Sequence, residues 1–423
     1  MFGPLQHLYV RIPCAPILLS MVTLADILEA YYACRRNKRR TVSAVEYEMH
    51  YERGLISLRD RINSRNYRPG TSICFVVSRP RYREVFAASF EDRIIHHYIA
   101  LRIEPLMEAV LSPRTFGCRH GKGQLYGVRQ MKADIVECSE GYTRDCYVMK
   151  LDIKGFFMSI PKADMTDMID ALVADNYHGE DKDDLRWLCR LVIMHRPETD
   201  CVRHSPMQFW AHLSADKSLF TNGEGRGLAI GNLFAQLFAN YYLSSLDRLI
   251  ESLGFVYYGR YVDDICIIHT DKRKLLEAVP VIRRHLRSVG LRLNERKFYL
   301  QHYAKGVEFT GAIIKPGRSY SVNRVIRSFE AAMDRLNRAR TPRAMVHTVR
   351  SVNSYLGILI HHNEYAIRRR VLGRLSPRAA RYVHVGGRFT KVCLNNRWKK
   401  RVRIIKSIRC LLNAGHSSTS LHI

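Results

Sequence analysis

Phe255–Thr270 reads FVYYGRYVDDICIIHT. Two short runs of aromatic and β-branched residues flank a bend carrying adjacent carboxylates, Asp263 and Asp264, and the pattern predicts a β-hairpin with both acids at its tip. Carboxylates held side by side repel one another unless a cation lies between them. A hard divalent metal with oxygen ligands removes the conflict, and Mg2+ bound together with phosphates is the usual case. A solvated Asp-Asp turn has the same local pattern, so the reading depends on a third acid and on phosphate-binding groups elsewhere.

Cys146–Ile153, CYVMKLDI, is apolar except at Lys150 and Asp152 and predicts a buried strand that delivers one carboxylate at its end. Burying an unpaired carboxylate is costly, so Asp152 needs a metal or an arginine beside it. Phe156 and Phe157 follow directly and place two aromatics next to that acid, although plain core phenylalanines would read the same way. Two Mg2+ ions held by Asp152, Asp263 and Asp264 suit in-line phosphoryl transfer, one lowering the pKa of a primer 3′-hydroxyl and the other steadying a triphosphate leaving group. Arg79, Arg83 and Lys297 supply positive charge for those phosphates.

The 423 residues suffice for two or three substructures with a sizeable core, which excludes a small stapled module. Lys plus Arg total 68 against 39 Asp plus Glu, a net charge of +29 that fits a polyanionic partner, nucleic acid before an anionic membrane surface. Eleven cysteines are scattered from Cys14 to Cys410 with no CxxC pair and no zinc spacing, as expected of buried free thiols in a reducing cytoplasm. No uninterrupted apolar run reaches the roughly 18 residues of a membrane span. Ile12–Leu24 is apolar but interrupted by Pro13 and Pro16, a poor signal peptide, and Met21 offers a second candidate start.

Helical spacing over Leu24–Cys34 precedes a basic run, Arg35, Arg36, Lys38, Arg39 and Arg40, and a second helix is expected over Val45–Arg65. Ser72–Ser78 and Glu84–Ser89 read as a hairpin with Arg79–Arg83 at its tip, followed by a helix over Phe90–Leu111. In Phe116–Gly127, FGCRHGKGQLYG, glycines surround Arg119 and Lys122 and suit close backbone approach to a phosphate chain. A helix over Val128–Ser139 comes next. Asp164–Cys201 reads as helical and Arg203–Glu224 as a mobile polar loop. Gly225–Gly231, GRGLAIG, opens one long helix, Asn232–Ser252, with Leu233, Leu237, Tyr241 and Leu249 along its buried stripe. Lys274–Val289 is expected as a helix, Gly290–Leu300 as a strand carrying Lys297, and Gly306–Lys315 as a further strand. Ser328–Arg340, Arg343–Ile360 and Ala366–Arg374 look helical, and the basic tail with Tyr382, Phe389 and Trp398 suits a nucleic-acid cradle.

In order and spacing, these motifs resemble the reverse transcriptases from about Leu24 to Glu364. Tyr261-Val262-Asp263-Asp264 matches the YxDD motif, and Leu151-Asp152 with Phe157 five positions after the acid matches the first palm motif. The resemblance implies an α+β right-hand polymerase fold. Its parts would be fingers over 24–145, an antiparallel palm in two pieces, 146–175 and 226–318, a helical insertion with its loop over 176–225 and a helical thumb over 319–365. Residues 366–423 would be a basic extension, and 1–23 would lie outside the fold. It also implies a site: Asp152, Asp263 and Asp264, with Ile153, around two Mg2+ that Mn2+ can replace, and Lys297 assisting the leaving group. Phe157, beside Phe156, would exclude a ribose 2′-hydroxyl. Arg79, Arg83, Ile230, Gly231 and Gln236 would meet the nucleotide, and Arg119, Lys122, Asn232 and Tyr261 the template and primer.

Gly227–Asn240, GLAIGNLFAQLFAN, is similar to the GLPIGNLTSQLFAN segment of diversity-generating retroelement reverse transcriptases, as are REVFAASFEDRIIHH over Arg83–His97 and Ser354–Gly357 with His361–Asn363. Ile230 then stands where other reverse transcriptases carry glutamine, which implies loose control of base-pair geometry and errors opposite template adenines, hence mutagenic retrohoming. Ala229 and Ala235 depart from that segment's proline and serine. The implied partners are a template RNA, the cDNA or primer strand, dNTPs, and a basic helical accessory protein forming a barrel-shaped oligomer, in the cytoplasm of a bacterium or archaeon or encoded by a phage. A group II intron-like, retron or defence-associated reverse transcriptase is the alternative, and a non-catalytic RNA-binding polymerase fold would lack the acids.

Overall fold

The computed structural model describes residues 21–36, 41–78, 81–396 and 398, which fall into two compact units. One contains residues up to 112 with 154–245 and 286–291; the other contains 113–153, 246–285 and the chain from 292.

The first unit begins with helix Leu24–Arg35. Thr23 caps it reciprocally, its hydroxyl accepting from the Asp26 N–H while the Asp26 carboxylate accepts from the Thr23 N–H. The single helix expected over Val45–Arg65 is two, Val42–Glu48 and Tyr51–Asn63. Glu48 closes the first by pairing with the Arg35 guanidinium, a tertiary contact that periodicity does not encode. Strand Ser72–Val77 pairs antiparallel with Arg83–Ala87, and Cys201–Arg203 adds a third strand parallel to Ser72–Cys74. Region 176–225 is thus built into this sheet and into the pair of helices Lys162–Asn176 and Lys182–Met194, where an insertion with a mobile loop was expected. Its irregular part is tethered by the fully buried Glu84, whose carboxylate accepts from Trp210 Nε1 at 2.8 Å, Ser218 Oγ at 2.7 Å and the Leu219 N–H at 2.8 Å. A buried carboxylate recruits such donors because leaving it unpaired would be costly.

The long helix expected over Asn232–Ser252 breaks at Leu243 into Leu233–Tyr242 and Ser244–Ser252. Its buried stripe is Phe234, Ala235, Leu237, Phe238 and Tyr242, whereas Leu233 is exposed and Tyr241 and Leu249 are half-buried. The apolar face is centred one residue later than leucine spacing suggested.

In the second unit, four antiparallel strands lie in the order Tyr258–Tyr261, Asp264–His269, Tyr147–Asp152, Tyr299–His302. Helix Gln124–Cys138 and a three-stranded sheet, Val307–Phe309, Ala312–Lys315 and Arg318–Ser321, share a core with it through Phe116, Met131, Ile135, Val148, Cys266 and Phe309. Of the strand expected over Gly290–Leu300, the end pairs and Leu293 makes an isolated antiparallel bridge to Ile153, while Lys297 sits in a tight turn, Glu295–Lys297. The Asn294 N–H bonds the Asp152 carbonyl at 2.8 Å as part of that bridge, before the chain turns. Gly306–Lys315 folds as a hairpin because Thr310 (φ 47°) and Gly311 (φ 86°) take left-handed conformations that turn the chain.

Helices Asn323–Arg338, Pro342–Leu359 and Tyr365–Leu372 share one core with a hairpin, Val383–Gly386 and Lys391–Leu394. Residues 366–394, expected as part of a separate extension, belong to it: Val371, Leu372, Val383 and Val392 bury against Phe329, Val352 and Leu356. Four-residue strands between arginines are too short to register as a pattern. The first helix buries Phe329, Ala332, Met333 and Leu336 and exposes Arg324, Arg327, Arg335 and Arg338. Arg79, Lys38–Arg40, residues 1–20 and the tail beyond Trp398 lie outside the described residues. Cys74, Cys138, Cys146, Cys189 and Cys266 are buried free thiols, and Cys34 is buried. No helix among the described residues is long and apolar enough to cross a membrane.

Candidate active site

Strand register brings the acids of the second unit together. Asp152 stands directly opposite Asp264 where Tyr147–Asp152 pairs with Asp264–His269, and Asp264 faces Tyr261 on its other side. Side chains alternate along a strand, so Lys150 and Asp152 share one face with Asp264 and Cys266. Like charges opposite one another destabilise a sheet, and here the third acid, Asp263, adds to them at the turn. Burial, then Asp152, then Asp264 push the Asp263 carboxyl up to about 6. Burial also raises Asp264, with Lys150 opposing.

Two lysines answer this charge. Lys297 Nζ donates to Asp152 Oδ1 at 2.6 Å, and Asn294 Nδ2 donates to Oδ2 of the same carboxylate at 2.8 Å. Lys150 Nζ lies 3.0 Å from Asp264 Oδ1 and donates to the Glu308 carbonyl at 3.1 Å. Burial lowers the Lys150 ammonium, but Asp264 and its neighbours outweigh that and raise it overall. Lys150 and Asn294 were not singled out from sequence. Lys150 was legible, since it precedes Asp152 by the two-residue period of a strand; Asn294 joins through a tertiary bond with no local signature.

Carboxylate oxygens are the ligand type that a hard divalent cation takes. The three acids offer only oxygens, and Asp264 Oδ1 is buried with no aligned hydrogen bond. Among the described residues no three or more His, Cys, Asp or Glu side chains are grouped so as to hold a metal ion. The lysines instead neutralise two of the three carboxylates. Ile153 is buried and bridges to Leu293.

The turn itself is strained. Val262, between Tyr261 and Asp263, has φ 58°, a region that costs a β-branched residue about 1–3 kcal/mol. Gly117 packs against it so closely that a Cβ there would lie 2.8 Å from Val262 Cγ2 and 3.0 Å from its main-chain nitrogen. Gly117→Ala is therefore expected to displace the acids' turn and cost about 1–3 kcal/mol of stability, which a melting curve would show. Tyr261 is half-buried against the core below. Arg119 and Lys122 bond carbonyls of their own loop, Thr115 at 3.1 Å and Pro113 at 2.9 Å.

The remaining residues of the expected site belong to the first unit. Phe156 is buried and Phe157 half-buried in a single helical turn, Phe156–Ser159, and the Phe157 carbonyl accepts from the Leu228 N–H at 2.8 Å. Ile230 packs beside Cys74, Phe86, Met158 and Ala229, and its carbonyl accepts from the Phe86 N–H at 2.8 Å. Gly231 has φ 118°. Asn232 is buried, while Gln236 and Arg83 are exposed.

Residues 78–314, more than half of the chain, match the family described as reverse transcriptase (RNA-dependent DNA polymerase). No curated protein matches the chain. Among solved structures, an apo telomerase from Candida tropicalis matches at 11% identity over 74% of this chain and 57% of that one, with a TM-score of 0.46. A telomerase from Candida albicans in complex with a TWJ fragment of telomeric RNA matches at 9% identity over 73% and 60%, with a TM-score of 0.44. The chain therefore spans less than two thirds of either.

Proposed function

The chain belongs to the reverse transcriptase (RNA-dependent DNA polymerase) family, and from that premise we propose that it copies a retroelement template RNA into cDNA, using Asp152, Asp263 and Asp264 as its catalytic acids. The observation that carries this reading is the cross-strand register of Asp152 with Asp264 beside a turn that delivers Asp263. These three carboxylates would hold divalent cations, with Mg2+ first and Mn2+ as a substitute. When bound, such ions supply charge stabilisation and nucleophile activation for in-line phosphoryl transfer. Lys297 and Lys150 pair with Asp152 and Asp264 until then, and Lys297, at 2.6 Å from Asp152, is placed to meet negative charge on a departing group once that bond loosens. Phe157 in the first unit is the candidate gate against a ribose 2′-hydroxyl, with Arg83 and Arg79 as triphosphate contacts. The net charge of +29 suits a primer–template partner held mainly through phosphates.

Within the family, the reading extends to the diversity-generating type. Its support is the GLAIGNLFAQLFAN segment, in which apolar Ile230 sits against the core of the fingers hairpin and offers no hydrogen bond from its side chain. Synthesis would then be error-prone opposite template adenines, serve mutagenic retrohoming, and draw on a basic barrel-shaped accessory protein. Primer extension on an RNA template with Mg2+, followed by product sequencing, tests both levels, with Asp263→Ala and Asp264→Ala as controls. Undiminished synthesis by the doubly substituted protein would overturn the site; products without excess substitutions opposite adenine would leave the polymerase and remove the mutagenic role. Ile230→Gln is expected to lower adenine-specific substitution severalfold with little loss of stability, because Ile230 is only partly buried.

A further inference from the structure

Below the strained turn lies a charged network with no assigned part in the chemistry. Arg260, in the strand that leads into Tyr261, is fully buried, as is Asp247 from helix Ser244–Ser252. A guanidinium presents five N–H donors in a rigid fork. Here Nε donates to Asp247 Oδ1 at 2.8 Å and Nη2 to Asp247 Oδ2 at 2.5 Å, while Nη2 also reaches Thr115 Oγ1 at 3.2 Å. The Thr115 hydroxyl donates in turn to Asp247 Oδ2 at 3.0 Å. The remaining arm, Nη1, donates to the Val262 carbonyl at 3.1 Å. The backbone on either side is tied as well, since the Arg260 N–H donates to the Arg114 carbonyl and the Arg260 carbonyl accepts from the Phe116 N–H.

The Val262 carbonyl belongs to the peptide that joins Val262 to Asp263. The carbonyl end of that peptide is therefore held by a buried guanidinium, and rotating the peptide would break this bond. Gly117 also packs closely against Val262. A buried ion pair of this kind contributes little to net stability compared with apolar side chains of the same volume, so its cost calls for a reason beyond folding.

We infer that Arg260 is a positioning residue: anchored by Asp247 and Thr115, its guanidinium locks the peptide before Asp263 and so fixes the left-handed turn that aims the catalytic carboxylate. The inference rests on the reverse-transcriptase reading of the site. A lysine cannot replace it, because one ammonium does not span both Asp247 and the Val262 carbonyl in a fork.

The test uses the full chain with Arg260→Lys, the paired replacement Arg260→Met with Asp247→Leu, and the milder Thr115→Val. Each is measured for kcat and KM in primer extension on RNA with Mg2+, for its melting temperature, and for amide exchange at Asp263 and Asp264. The paired replacement is expected to melt near the parent yet lose kcat about tenfold or more, with KM for dNTP within about twofold, because misplacing a reacting group by a fraction of an ångström acts on the transition state. Arg260→Lys should lose kcat similarly, Thr115→Val about threefold, and all three should exchange both amides faster. A folded paired variant with parental kcat and parental exchange would overturn the inference. Should neither Arg260 variant fold, Thr115→Val decides, and parental kcat and exchange there would overturn it equally. A parent that makes no DNA would count against the polymerase reading, while the exchange comparison would still judge the lock.

Discussion

Asp263→Asn is expected to reduce primer extension on RNA by about a thousandfold or more, the order that losing a charge-stabilising group at a phosphoryl-transfer site produces, and at the same time to raise the melting temperature of the metal-free protein at pH 7. The second half follows from the sign of the Asp263 shift. Burial and the neighbouring carboxylates lift its pKa from 3.8 to about 6. Between those values the folded chain binds more protons than the unfolded one, so this group's contribution to stability falls as pH rises and levels off above about pH 6. The penalty there is at most about 3 kcal/mol, by the conversion of 1.36 kcal/mol per unit. Asparagine carries no charge and escapes it. Melting curves from pH 4 to 8 in chelator should converge at the acid end, separate between about pH 4 and 6 with the variant higher, and stay apart above pH 6. Added Mg2+ should raise the parent and leave the variant nearly unmoved, since a ligand stabilises only the state that binds it. A variant less stable than the parent at pH 7 would mean that the carboxylate is held by favourable partners, contrary to the frustrated cluster described.

Gly231→Ala is the second large effect, and it is structural in origin. Gly231 has φ 118°, and a Cβ there would lie 2.6 Å from the Phe86 carbonyl oxygen and 2.8 Å from Val85 Cγ1. Neither obstacle yields cheaply: Phe86 is held in register with Cys74 across the hairpin, and its N–H already bonds the Ile230 carbonyl. Backbone strain and overpacking together predict a loss of about 2–4 kcal/mol, readable by urea unfolding, with a raised KM for dNTP in whatever remains folded. A Gly231→Ala protein as stable as the parent would show that the loop is free to move away from the hairpin. The segment that resembles a nucleotide-contacting motif thus has an independent reason for its glycine.

Much of the site is legible in the amino-acid sequence. Asp263 and Asp264 in a β-patterned hairpin, and Asp152 at the end of an apolar strand, announce themselves because carboxylates are rare in such surroundings and alternation is a local signal. Lys150 is equally readable by that alternation. Asn294, Thr115, Asp247 and Arg260 are not, because each acquires its role from a partner 13 to 145 positions away in the chain. The same distinction explains the misread elements. Glu84 binds its loop from more than a hundred residues away, and the strands Val383–Gly386 and Lys391–Leu394 are four residues each, below the length at which alternation emerges from a basic background.

By itself the sequence determined the chemistry on offer: three acids in a polymerase order, a strongly cationic chain, and a family whose motifs are carried by neighbouring residues. Composition and short-range spacing encode these, because helix and strand periods act over a few residues. How the acids are kept from repelling one another apart is set by contacts distant in the chain. They set Asp152 across from Asp264, brought Lys297 and Lys150 onto them, and placed a buried guanidinium under the Val262 turn. Strand register and buried charge pairing arise from long-range contacts whose energies depend on what surrounds them, and no local pattern in the chain records that surrounding.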